Sequence, residues 1–257
     1  AHAWLDALEV FEKAPARLTM KENSRKTLFP VFSGVWVFIK GGKIDAKSSL
    51  ALNIARTFLR EAKLHGDPIH YMRALAMMCE VEASKKRYAK ALEHFETLRA
   101  VYDIHEHHIA VCLEYGTDRA GQSWSNSTLW LEQTGVELGV INERCEYIMD
   151  QLVPFMEPEN VLNMMEMILP VLYHYKRTNQ TKKMNKIFQT FVMKNYLTYF
   201  KNKGKSTPCE PMLRPMEMLL LICHDPDRFP DLDDAVEFMV QDESGVSSDF
   251  LDYIYSK

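Results

Sequence analysis

Apolar residues recur along this chain at helical spacing. Tyr88, Ala91, Leu92, Phe95, Leu98 and Tyr102 fall on one stripe, at the i, i+3, i+4, i+7 positions of an α-helix. Just upstream, Leu75, Met78, Cys79 and Glu82 share one face of a second helix, and Lys85-Lys86-Arg87 supplies a short polar turn between the two. The pattern predicts an antiparallel helix pair. It then returns, with candidate turns at Gly41-Gly42, Lys86-Arg87, Gly135, Asn179 and Asp225-Pro226, a period of about 45 residues. After most turns a small or medium residue is followed four positions later by an apolar one: Ala51 and Ala55, Ala91 and Phe95, Met184 and Phe188, Ala235 and Met239. The helix after Gly135 fits less well and carries its stripe on Ile141, Cys145 and Ile148.

A fixed period with one helix pair per unit predicts an all-α fold, a right-handed α-solenoid of antiparallel helix pairs. One pair cannot bury both faces of its apolar stripe, and stacking the pairs does. An ordinary helical bundle with evenly spaced loops is the competing architecture. The predicted organisation is a single repeat domain over 1–257. It opens with a half-pair at 1–20, followed by pairs at about 28–65, 69–118, 119–157, 159–203 and 211–257. Residues 103–118 are surplus to the period, and either lengthen a second helix or form a spare one. Gly66-Asp67-Pro68 stops one helix and seats the next, and Pro154 and Pro158 do the same around Glu157. Trp4 to Ala14 reads as a second helix without its partner, and with no initiator Met the chain reads as a piece cut inside an array.

Set on this frame, the residues resemble tetratricopeptide repeats. Ala91, Phe95 and Leu98 fall on that family's second-helix positions, and Leu75 and Cys79 on the large and small positions of its first helix. Trp124, Thr128, Leu131 and Gly135 match the pattern in another unit, and Ala7, Phe11 and Ala14 match a second helix alone. Ile168, Leu172, Tyr175, Met184, Phe188 and Phe191 match more loosely. The family's usual unit is shorter than this period, and HEAT-type arrays share the longer one. The resemblance implies a non-catalytic scaffold in which the first helix of each pair lines a concave groove for a protein or peptide partner. Mapped unit by unit, the groove residues are Arg73 and Glu80, then Asn126, Glu132 and Gln133, then Glu166, Tyr173, Lys176 and Arg177. Similar arrays accompany signalling modules in larger chains, so a fragment of such a protein is the expected context.

Composition narrows the function classes. Apolar residues are 47% and charged residues 26% of 257, which is globular composition. Gly (10) and Pro (11) are too few for an all-β chain of many tight turns. No unbroken apolar run, neither Val35 to Ile39 nor the six residues of Ala74 to Cys79 or Met218 to Cys223, approaches the roughly 20 residues a membrane helix needs. Five cysteines with no C-x-x-C spacing predict free thiols in a reducing compartment, the cytoplasm or an organelle. The sequons at Asn126 and Asn179 are then accidental.

Chemistry-bearing motifs are sparse. No nucleophile elbow, phosphate loop or dinucleotide fingerprint is present, and neither an enzymatic activity nor a cofactor is expected. The sharpest polar cluster is His105-Glu106-His107-His108 with Cys112 four residues on. On a helix, His105, His108 and Cys112 share a face and offer nitrogen and sulfur to zinc. The plainer reading, which we adopt for the sequence, is a solvated histidine-rich helix start with Cys112 in the core and no metal.

Charge is unevenly spread around a net −4. Lys176 to Lys205 holds nine bases and no acids, and Asp225 to Lys257 holds ten acids and two bases. Bases interleaved with Phe188, Phe191, Tyr196, Tyr199 and Phe200 could clamp single-stranded RNA. That gives the alternative, an organellar RNA-binding array resembling pentatricopeptide repeats. The aromatics keep core spacing, however, and a weakly acidic chain argues against nucleic acid. The expected partner is a protein or peptide.

Overall fold

The computed structural model describes residues 29, 32–36, 45–155, 161–187 and 190. The described elements are helical throughout, and none of the helices is long and apolar enough to cross a membrane. The half-pair at 1–20, the Gly41-Gly42 turn and the pair at 211–257 lie outside the described residues, as do Phe188, Phe191, the bases beyond Lys186 and the acidic stretch. The chain divides into two compact units, Ala1–Glu146 and Tyr147–Lys257.

In the first unit the helices are α1 (Ser49–His65), α2 (Pro68–Ser84), α3 (Tyr88–Val101), α4 (Ile104–Tyr115), α5 (Arg119–Gln133) and α6 (Leu138–Tyr147), the last of which runs one residue past its end. Short side chains open four of these helices by satisfying their free amides. Ser48 Oγ accepts from Ala51 N–H at 3.1 Å, Asp67 Oδ1 from Ile69 N–H at 2.8 Å, Asp103 Oδ1 from His105 N–H at 2.8 Å, and Asp118 Oδ1 from Gly121 N–H at 2.8 Å. Pro68 takes the first helical position of α2, where its missing N–H costs nothing.

Five of the described helix ends turn left-handed, in two different ways, whereas α3 ends on the extended Tyr102. At Lys86, Gly135 and Asn179 the backbone turns left-handed, with φ of 58°, 73° and 54°. Each of these turns carries the same two bonds. The left-handed residue donates back three positions, to Ala83, Glu132 and Lys176, and the next residue donates back five, to Glu82, Leu131 and Tyr175. This is the Schellman stop, which reverses the chain into an adjacent helix. It joins α2 to α3 and α5 to α6 and recurs in the second unit. At Gly66 and Gly116, with φ of 79° and 72°, one bond back to Ala62 and Cys112 closes the helix instead. Those stops separate α1 from α2 and α4 from α5.

Packing follows the apolar stripes. Phe29, Phe32, Val35 and Trp36 meet Ala51, Ile54, Ala55 and Phe58 of α1 and Ala74, Met77, Met78 and Val81 of α2. The rings of Phe32 and Phe58 stack at 4.9 Å. α2 packs against α1 on one side and α3 on the other, and both α2 and α3 pack on α5. Phe95 of α3 is fully buried and meets Trp124 of α5 edge-on at 5.3 Å. Arg144 of α6 lays its guanidinium 4.9 Å from the Phe95 ring and 5.4 Å from that of Trp124, and donates to Ser127 Oγ at 2.9 Å. One side chain thus ties α3, α5 and α6 together. Residues 103–118 form the spare helix α4.

In the second unit a π-helical turn (Ile148–Leu152) and a 3₁₀ turn (Val153–Phe155) precede α7 (Val161–Arg177) and α8 (Thr181–Ile187). α7 carries Pro170 in its interior, which removes one helical hydrogen bond there. Met167, Ile168, Val171, Leu172 and Tyr175 are buried with Met184 and Ile187 of α8.

Candidate functional site

The predicted groove residues have different fates. Arg73 and Glu80, two turns apart on α2, are buried at 3% and 8% exposure. Both α5 and α4 pack against α2, and α4 covers the Arg73 end of this face. Tyr115 near the end of α4 sits with its ring 5.0 Å from the Arg73 guanidinium, and its hydroxyl lies 2.6 Å from His70 Nδ1 on the same face of α2. Arg73 also donates to Ser33 Oγ at 3.1 Å. Burial pulls the Arg73 guanidinium down to about 10, helped by the Arg119 charge and opposed by Glu80. This face of α2 is therefore a buried polar seam, covered in part by α4.

The other candidates remain at the surface to differing degrees. On α5, Asn126 and Glu132 are half-buried and Gln133 is exposed. On α7, Tyr173 and Lys176 are half-buried and Arg177 is exposed, whereas the Glu166 side chain lies outside the described residues. α4 turns Ile109 and Leu113 outward at 59% and 83% exposure, an apolar i, i+4 pair on a solvent face.

The zinc candidate of the sequence comes together only in part. His108 is buried and Cys112 half-buried, with the Cys112 sulfur 3.9 Å from His108 Nε2, while His105 is exposed. The three do not converge, and among the described residues a different group does. His108 is committed elsewhere: its Nδ1 lies 2.7 Å from Asp118 Oδ2. The same oxygen accepts the Tyr102 hydroxyl at 2.5 Å, and Asp118 is wholly inaccessible to solvent. The bond to Asp118 pushes the His108 imidazole up to about 10, with a further contribution from Cys112. Burial, reinforced by the Asp118 charge, raises the Tyr102 phenol well above its ordinary value, so it stays a neutral donor. An imidazolium has no lone pair for a metal. This cluster is a structural ion pair that ties α4 to the start of α5 and to the end of α3.

Gly121 makes the cluster fit. A Cβ there would sit 2.8 Å from Asp118 Oδ2 and 3.1 Å from the Tyr102 hydroxyl. Among the described cysteines, Cys79 and Cys145 are buried and poorly placed to react, and burial raises the Cys79 thiol well above its usual range.

Two features escape a reading of the sequence. Asp118 is separated by 16 residues from Tyr102, and no local pattern pairs them. His65 and His70 flank Asp67 across the helix break, a signal legible in His65-Gly-Asp-Pro-Ile-His70 only if the break is seen to fold the two imidazoles together. No family model, curated protein or solved structure matches the chain.

Proposed function

We propose that this chain is a tetratricopeptide-like helical-repeat scaffold that binds a protein or peptide by the shape of its helix faces and performs no catalysis. The observation that carries the reading is the recurrence of one hairpin turn at 86, 135 and 179, at intervals of 49 and 44 residues. The positions that resemble the family are also core positions: Leu75, Cys79, Ala91, Phe95, Leu98, Trp124, Thr128 and Leu131 are all buried. A stack of hairpins holds its surface side chains in fixed places, so the partner bears most of the ordering cost.

With Arg73 and Glu80 enclosed, the surfaces offered are Gln133 with Asn126 on α5, Arg177 with Lys176 on α7, and the outer face of α4 at Ile109 and Leu113. A photo-crosslinking residue placed singly at Leu113, Gln133 or Arg177 should capture a discrete partner in cells. The same residue at Lys90 or Glu93, exposed on the second-helix face of α3, should not. Equal capture from both sets, or none from the first, would count against the scaffold reading. The RNA alternative rests on bases of which Arg177, Lys182, Lys183 and Lys186 are exposed. A titration with single-stranded RNA at low and high salt should give no binding, and salt-sensitive affinity would favour the alternative instead.

A further inference from the structure

We propose that His65, Asp67 and His70 form a zinc(II) site at the α1–α2 junction, with a fourth position for water. One ligand atom from each of the three lies within 4.8 Å of the others. They come from three steps of one short corner. His65 ends α1, the left-handed Gly66 reverses the chain, Asp67 caps α2, and His70 stands in the first turn of α2.

Asp67 and His70 are already oriented by neighbours. Asp67 Oδ1 accepts the Ile69 amide at 2.8 Å, which fixes the carboxylate plane. The Tyr115 hydroxyl lies 2.6 Å from His70 Nδ1. Zinc on Nε2 would leave Nδ1 as an N–H donor to that hydroxyl, the outer-shell arrangement that sets the tautomer of a metal-bound histidine. His65 Nδ1 is buried and has no hydrogen-bond partner. An orphaned buried nitrogen is destabilising, and a metal bond satisfies it.

The Phe29 ring closes the inner side, 3.9 Å from the His70 ring and 5.2 Å from that of His65. Two imidazoles and one carboxylate are a donor set that suits zinc, and three protein ligands leave a position for water. Zinc bonds of about 2.0–2.2 Å place tetrahedral donors roughly 3.3 Å apart. The donors must therefore close by at most about 1.5 Å, a movement open to the half-buried His65 and Asp67. The positive end of α2 opposes the cation and the negative end of α1 favours it, so the helix dipoles nearly cancel at the corner.

The test is a zinc titration of the full chain after treatment with a chelator and dialysis, followed by calorimetry, with cobalt(II) absorption as a second probe. One zinc should bind per chain, and cobalt should give the intense visible bands of a tetrahedral site. His65→Gln and Asp67→Asn should each weaken binding at least tenfold, and Asn retains the helix cap. Tyr115→Phe should weaken it about 10- to 100-fold with the stoichiometry unchanged, and His105→Gln should leave it as it was. Binding that never saturates at one per chain overturns the site. So does saturable binding that survives both His65→Gln and Asp67→Asn in variants with unchanged circular dichroism, because other donors then hold the ion. Neither outcome bears on the scaffold reading, which does not use this corner.

Discussion

The Tyr102 hydroxyl, at the end of α3, donates to Oδ2 of Asp118, at the start of α5, at 2.5 Å. Because His108 shares that oxygen and the Gly121 amide takes the other, the carboxylate joins three helices with no contact to water. Removing it strands a buried imidazolium and a buried phenol. Asp118→Ala should therefore destabilise the fold by about 3–5 kcal/mol, and Tyr102→Phe by about 1–3 kcal/mol. Denaturant unfolding measures both, and near-equal small losses would show the cluster to be energetically idle.

The ion pair also gives stability a pH dependence. An unfolded histidine titrates near 6.5, and folding raises His108 to about 10. The folded protein thus binds the extra proton, so this contribution is full below about pH 6.5 and fades as the pH rises toward 10. The melting temperature of the wild type should fall between pH 6.5 and 9.5, more steeply than that of His108→Gln. Parallel curves would place the pH dependence elsewhere.

Gly121 is held to glycine by close approach rather than by backbone angle. A methyl group there meets Asp118 Oδ2 at 2.8 Å, below any normal carbon–oxygen contact. Alanine is otherwise the better helix former, by about 1 kcal/mol, so a stabilised Gly121→Ala would contradict the packing described. We expect a loss of about 1–3 kcal/mol, together with a weakened Tyr102–Asp118 bond visible in the phenol's ultraviolet titration.

The three hairpin turns predict opposite effects for glycine. Lys86 and Asn179 are non-glycine residues at positive φ, a conformation that is costly for lysine by about 1–2 kcal/mol. Lys86→Gly should stabilise by about 0.5–1 kcal/mol, Asn179→Gly by less, and Gly135→Ala should destabilise by about 1 kcal/mol. Thermal melts of the three variants check this. A uniform sign would mean that the turns are not equivalent.

Much of the fold is legible in the sequence because its signals are local. Helix spacing, the polar turns at 86, 135 and 179, and the break at Gly66-Asp67-Pro68 each lie within a few residues. The fate of the expected groove residues is not legible in the same way. Whether the face of α2 that carries Arg73 and Glu80 is open depends on where α4 and α5 land, which no pattern inside α2 encodes. Arg144 is the same kind of case: a charged residue on α6 reads as solvated, yet it is drawn between Phe95 and Trp124 by ring contacts from two other helices. His108 shared a helical face with Cys112 as the spacing required, and its use was decided by a carboxylate ten residues away.

Stacked hairpins and a single cooperative globule differ most in how damage spreads. Trp124→Ala removes the ring shared by α3, α5 and the Arg144 guanidinium, so hydrogen exchange of the full chain, read segment by segment in wild type and variant, is the direct measurement. The repeat account predicts faster exchange in α3, α5 and α6, with α1 changed by less than about 0.5 kcal/mol in opening free energy. An equal rise from residue 49 through residue 146 would contradict it.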